Sequence, residues 1–434
     1  MNKLLAIILL FVFISNCSLD TKSGIWTKTK KIAEEKNIIL KDLFKTEEAL
    51  DTEFNPNLKI NLSAKLINNS FINNFDNNNG RINYNGNLKN ISRFRFSKID
   101  NFDQFEPEIV FNNDNLIFFD NKGSILKFNN SSKLIWKKNY YSKPEKKLKP
   151  ILFFANNKDI LIVADNIAKY YALNINTGEL LWSKNNSAAF NSEVKVYRNM
   201  FFAIDFENIL RCYSIKDGTE LWKIKTEKTF INSQKKLSLV IVDNKVYFSN
   251  SIGDISAVDI ESGNLIWQIP TQSSDIYEDT FFLKTSDLIA DNNSILFSNN
   301  KNEFFSLDIN TGILNWKQKI NSNLKSTLVD NIIFAISMEG FLIVIDNHSG
   351  NIIRITDIFR QFKQKKRSSI KPVGFIVGSE NIYLTTDHGR LMIISIITGR
   401  TKSMLKIDND KISRPFVLNQ NLYIIKENSI IRLN

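Results

Sequence analysis

The chain has 434 residues, of which 43% are hydrophobic and 24% charged, and a net charge of +12. Its two histidines and two cysteines are poor material for a histidine-based metal site, a nucleophile–base pair or a disulfide framework. Basicity of this size ordinarily suggests nucleic acid, but here the lysines and arginines are spread along the chain.

The N-terminus carries an export pattern. Lys3 precedes an apolar run, 4–14, that is too short to span a bilayer comfortably and reads as a secretory signal. Export argues against a nucleic-acid partner. Ile14-Ser15-Asn16-Cys17 then has the form of a bacterial lipoprotein processing box, with Asn16 where Gly, Ala or Ser is commonest. On this reading residues 1–16 are a signal peptide and Cys17 is the lipid-attachment residue, which anchors the protein to a membrane without spanning it. Ser18, in place of Asp, points to the outer membrane. The alternative is an ordinary signal peptide with an incidental cysteine. Residues 17–90 are polar and rich in Asn and Lys, with weak helical character over 30–50. They read as a tether that meets the folded body near Phe71 and Phe75; for the first half, plain disorder is the alternative.

A lone strand is expected at 91–99, and a repeated phrase follows. Asp308 to Trp316 shows it in full: an alternating apolar strand, an Asp/Asn turn with Gly312, then a return strand carrying Trp316. Gly178 precedes Trp182, Gly218 precedes Trp222, and Gly263 precedes Trp267, each by four residues; Ser132 takes the glycine's place before Trp136. Gly350 and Gly399 keep the turn, but Arg354 and Ser403 stand where the tryptophan is expected. A tryptophan at a fixed place in each unit predicts packing between neighbouring units. Cys212 lies in one of the alternating strands and reads as a buried structural thiol.

The seven turns are spaced 38 to 49 residues apart, with about four short strands per unit. That is the signal of an all-β fold, a β-propeller of four-stranded antiparallel blades. The C-terminal runs 422–425 and 429–433 match the second and third strands of a blade without its fourth, which the strand at 91–99 supplies. The prediction is therefore an eight-bladed ring over 91–434, closed by an N-terminal strand, with seven blades as the alternative. In a connection after the sixth unit, Lys363, Lys365, Lys366 and Arg367 form the densest basic cluster, read as a solvated loop or as a contact for anionic lipid or an acidic partner. No phosphate-binding glycine loop or metal-spaced cysteine pair is present, so no catalytic residue, metal or cofactor is assigned.

The repeat resembles that of the quinoprotein-type propellers. Of the two branches of that group, the pyrroloquinoline-quinone dehydrogenases carry an adjacent cysteine pair and a calcium site that this sequence does not show. With its lipoprotein box and eight blades, the chain is more similar to the outer-membrane assembly factors of the BamB family, in their alphaproteobacterial form. The segments 73–80, 356–358 with 365–367, and 387–391 resemble joins of that family. The resemblance implies a non-catalytic scaffold of the β-barrel assembly machinery at the periplasmic face of the outer membrane. Its expected partners are the periplasmic domains of a BamA-type barrel insertase, other subunits of the machine, and unfolded outer-membrane proteins. Docking would fall on the connections 223–236 and 268–287, with Phe230, Ile231, Asp275, Glu278 and Asp279 as partner-binding residues. A quinone-dependent enzyme and a generic ligand-binding propeller are the competing readings.

Overall fold

The computed structural model describes residues 60, 62–63, 66–67, 80–227, 233, 235–271 and 282–434. All lie in the second of two compact units, Asn55–Asn434; the first, Met1–Phe54, falls outside the described residues. Eight four-stranded antiparallel sheets follow one another along the chain. Blade 5 is representative, with strands Ile289–Ala290, Ser294–Asn299, Glu303–Asp308 and Leu314–Gln318 in that order. Blade 8 joins Phe416–Leu418, Asn421–Lys426 and Ser429–Leu433 to Asn90–Arg95. Arg95 pairs with Ser429 and Asn90 with Leu433, so the two ends of the propeller close the ring, and the blade count is eight. Closure removes the open sheet edge that an unjoined last blade would present.

The middle strands of each blade alternate in direction, as the sequence pattern requires, yet both of their faces are buried. Phe304 stacks on Trp316, centroids 5.8 Å apart, in a cluster shared with blade 6. Its neighbour Phe305 points the other way, stacks on Phe297 at 4.9 Å, and belongs to a cluster shared with blade 4. The hydrophobic core is thus a series of inter-blade joints. A single blade has no core of its own.

The repeated phrase builds these joints. In blade 5, Asp308 accepts from the backbone N–H groups of Asn310 (3.0 Å) and Thr311 (2.8 Å), while Gly312 closes the turn with φ +72°. Beyond the turn, a bulge leaves one extra residue on the fourth strand, and the phrase's tryptophan then pairs with a small residue on the third: Trp182 with Ala172, Trp222 with Cys212, Trp267 with Ala257, Trp316 with Ser306. Each indole reaches into the next blade. Trp182, Trp222, Trp267 and Trp316 donate from Nε1 to the carbonyls of Ile215 (2.9 Å), Ile260 (3.0 Å), Ile309 (3.3 Å) and Asn347 (2.8 Å). Every one of those carbonyls lies three residues before the next blade's turn glycine.

Two departures from the phrase keep this hydrogen bond by other means. Arg354 donates to the carbonyls of Ile396 (2.7 Å) and Ile397, so the arginine performs the tryptophan's task at the joint of blades 6 and 7. In blade 1 the residue opposite Trp136 is Lys127, whose ammonium takes the Ile175 carbonyl at 3.0 Å; the Trp136 Nε1 is left buried without a partner. Ser132 stands at the glycine's place in blade 1 with φ +59°, and the preceding blade carries Ser92, not an indole, at the tryptophan's place in the register.

The N-terminal segment joins the ring before residue 90. Arg81–Ile82 pairs in parallel with Leu66–Ile67, Gly80 donates to the Leu328 carbonyl at 2.6 Å, and Tyr84 is fully buried against Tyr383. Phe71 and Phe75 lie outside the described residues.

Candidate functional site

The connections that flank blade 4 leave Glu220–Lys225 and Leu265–Ile269 and return at Leu239–Val242 and Ile289–Ala290. Phe230, Ile231, Asp275, Glu278 and Asp279 lie outside the described residues, as does Cys17. The described bases of the two connections are joined: Ser233 donates to the Leu283 carbonyl at 2.6 Å. Thr226 anchors one base on the Asn208 carbonyl (3.1 Å), and Thr271 anchors the other on the Gly253 carbonyl (2.7 Å). Leu283 is buried beneath them, but Phe282 beside it is 67% exposed. A large exposed aromatic on a loop with a fixed base is the kind of anchor that protein interfaces use. The Phe281-Phe282 pair in an otherwise polar stretch was the available sequence signal.

Below these bases lies a charged centre that repeat analysis of the sequence does not reveal. Glu108, Glu193, Asp287, Lys325 and Arg414 each stand two residues before the first strand of blades 1, 3, 5, 6 and 8. Serines fix three of these backbones. Ser192 accepts from the Ile204 N–H (2.7 Å) and donates to the Glu193 carbonyl (2.6 Å), and Ser286 and Ser413 do the same beside Asp287 and Arg414. The blade 4 connection adds Lys235 and Lys236. Lys236 lies 2.7 Å from Glu108 and 4.0 Å from Glu193, and Arg414 lies 3.5 Å from Glu108. Blades 1, 3, 4 and 8 can meet in this way only at the middle of the ring. Burial opposes charge on Lys236, but Glu108, Glu193 and Asp287 outweigh it and hold the ammonium's pKa above its usual value. Burial likewise opposes charge on Glu108, and Lys236 and Arg414 hold its carboxyl below the usual range. The base of the first connection is thus tied into the centre by ion pairs across the ring.

Other residues marked by the sequence are accounted for structurally. Burial pushes the Cys212 thiol up to about 12, which leaves it protonated and unreactive at neutral pH. His348 and His388 lie on different blades; His388 meets Asp387 at 2.7 Å. Among the described residues no group of three or more His, Cys, Asp or Glu is placed to hold a metal. The basic cluster forms α1, Gln364–Arg367. Arg367 pins it to Asp357 (2.8 Å) and to the carbonyls of Phe362 and Arg360, with Lys363, Lys365 and Lys366 exposed.

The sequence model of the family described as outer membrane protein assembly factor BamB matches residues 121–356, more than half of the chain. The chain belongs to this family. It is a PQQ-like β-propeller related to BamB, and the match covers blades 2 to 5 whole, the last two strands of blade 1 and all but the final residue of blade 6. Among solved structures, BamB from Moraxella catarrhalis is 14% identical with a TM-score of 0.64, over 80% of this chain and 99% of that one. Quinohemoprotein alcohol dehydrogenase from Comamonas testosteroni gives 10% identity and a TM-score of 0.63, over 82% of this chain and 78% of that one. The C-terminal WD40 domain of Sif2 gives 11% and 0.57, over 82% and 99%. At such identities the likeness is one of fold. No curated protein sequence matches the chain.

Proposed function

We propose that this protein is a BamB-type assembly factor of the alphaproteobacterial form, a non-enzymatic scaffold of the outer-membrane β-barrel assembly machinery. The observation that carries this reading is the match of the BamB family over residues 121–356. In this account Cys17 bears the lipid and the body faces the periplasm from the outer membrane. The connections flanking blade 4 grip the periplasmic domains of a BamA-type insertase through Phe230, Ile231, Asp275, Glu278 and Asp279. Their joined bases support the reading, since loops held on a rigid scaffold give up less freedom on binding. The ring then orients the insertase's domains toward incoming unfolded barrel chains, without a cofactor.

Tagged protein recovered from solubilised membranes is expected to bring the insertase with it. Phe230→Asp with Ile231→Asp should reduce that recovery at least ~10-fold, the effect of removing a hydrophobic anchor. Recovery without the insertase, with the protein in the inner membrane, would overturn the reading.

A further inference from the structure

Two members of the central charge cluster are left over when its ion pairs are drawn. Glu108 is paired with Lys236 and Arg414, Glu193 with Lys195 (3.6 Å) and Lys236, and Glu106 with Lys235 (3.7 Å). Among the described residues, neither Asp287 nor Lys325 has an oppositely charged group within 4.0 Å. Asp287 is 4% exposed, and its Oδ1 is buried without a hydrogen-bond partner. Both residues line one cavity, together with Glu106, Gly374 and Arg414. Glu106, with its side chain 45% exposed, marks the solvent side. Gly374 lets Arg414 pack closely against this wall: a Cβ there would meet Arg414 Cβ at 2.5 Å.

The arrangement is a carboxylate and an ammonium on one small cavity, more than 4.0 Å apart and each without an ion partner. A simple anion would satisfy Lys325 and be repelled by Asp287. A simple cation would do the reverse. A neutral polyol would supply hydrogen bonds but no opposite charge in direct contact with either group. A ligand carrying its own ammonium and carboxylate close together matches both ends and leaves the net charge of the centre unchanged. We propose that this cavity binds a small α-amino-acid zwitterion, with the ligand's ammonium on Asp287 and its carboxylate on Lys325. The inference does not rest on the role proposed for the blade 4 connections: Asp287 ends the second of them, but the other lining residues come from the approaches to blades 6 and 8, from blade 7 and from the segments ahead of blade 1.

Titration calorimetry of the full chain in detergent, with glycine and L-alanine as probes and acetate and methylammonium as controls, tests this. The zwitterions are expected to saturate one site, with both controls at least ~10-fold weaker, the factor set by losing one charged contact of ~1.4 kcal/mol. Asp287→Asn and Lys325→Met should each weaken glycine binding by ~10-fold or more, and Lys371→Met, exposed on blade 7, should not change it. If Asp287→Asn fails to fold, as judged by circular dichroism, the partly exposed Lys325 carries the test. Acetate binding as tightly as glycine would make this an anion site and overturn the proposal. Absence of zwitterion binding, or binding unchanged by Lys325→Met, would overturn it as well.

Discussion

At the residue scale, the turn glycines answer to two constraints. Gly263 has φ +72°, which favours glycine in any protein, but a Cβ there would also stand 2.6 Å from the Trp222 ring of the preceding blade. Gly263→Ala is therefore expected to cost ~1–3 kcal/mol in urea unfolding, the sum of strain and overpacking. Cys212 faces the same indole from its own blade, where Ala172 and Ala257 hold the matching places in blades 2 and 4. Cys212→Ala should then change stability by less than ~1 kcal/mol, while Cys212→Leu should cost ~1–3 kcal/mol. Arg354→Ala leaves the Ile396 carbonyl without its donor and should cost about 2 kcal/mol; Arg354→Trp restores the donor used at the other joints and should cost less. Lys325 gives a pH signature. Burial lowers its ammonium to about 8, against the opposing pull of Glu193 and Asp287, from an ordinary value of 10.5. Between those values the unfolded chain binds more protons than the folded one, so this group's burden is full below the folded value and is relieved as pH rises. Wild-type protein should gain stability relative to Lys325→Met between about pH 8 and pH 10, measured as urea midpoints. A constant difference between the two would contradict the assignment.

At the element scale, the closing strand is the least redundant part of the ring. Asn90–Arg95 is the only fourth strand supplied from the other end of the chain, and Phe94 packs with Phe128 of blade 1 (5.7 Å) and Tyr423 of blade 8 (6.2 Å). Removing residues 1–96 would expose Ser429–Leu433 as an unpaired edge. The expected outcome is oligomerisation or aggregation, read by light scattering after gel filtration, with far-UV circular dichroism still showing strands. A monomer of unchanged stability would show that blade 8 does not need its fourth strand. The repeat periodicity made this element legible: the last copy lacked a fourth strand, and an isolated strand preceded the first copy. The bulge beside each tryptophan was not legible, because one extra residue in a short strand leaves no mark that composition or alternation can register.

At the scale of the whole molecule, cores shared between blades predict cooperativity. The five tryptophans of the propeller all sit at joints in its first five blades, whereas far-UV circular dichroism reports all eight blades. Coincident unfolding curves from the two signals are expected, because no blade keeps a core when its neighbours leave. A separate fluorescence transition would instead identify blades 1 to 5 as an independent unit. The same sharing explains the centre. Charges brought by blades 1, 3, 4, 5, 6 and 8 form a network only once the ring has closed.

The sequence by itself determined the propeller architecture and the turns and pointed to eight blades and a closing strand, because each rests on local chemistry repeated along the chain: alternation makes strands, Asp/Asn and Gly make turns, and a missing copy suggests where the ends meet; the pairing of Asn90–Arg95 with Ser429–Leu433 decided between eight blades and seven. It also pointed to Trp182, Trp222, Trp267 and Trp316 as joint residues, though not to the carbonyls they bond. Only the tertiary structure decided that Arg354 and Lys127 serve as substitute donors, that Ser233 and Leu283 join two distant connections, and that Asp287 and Lys325 share a cavity. Those relations depend on which residues from separate blades face one another, and no local period along the chain encodes that.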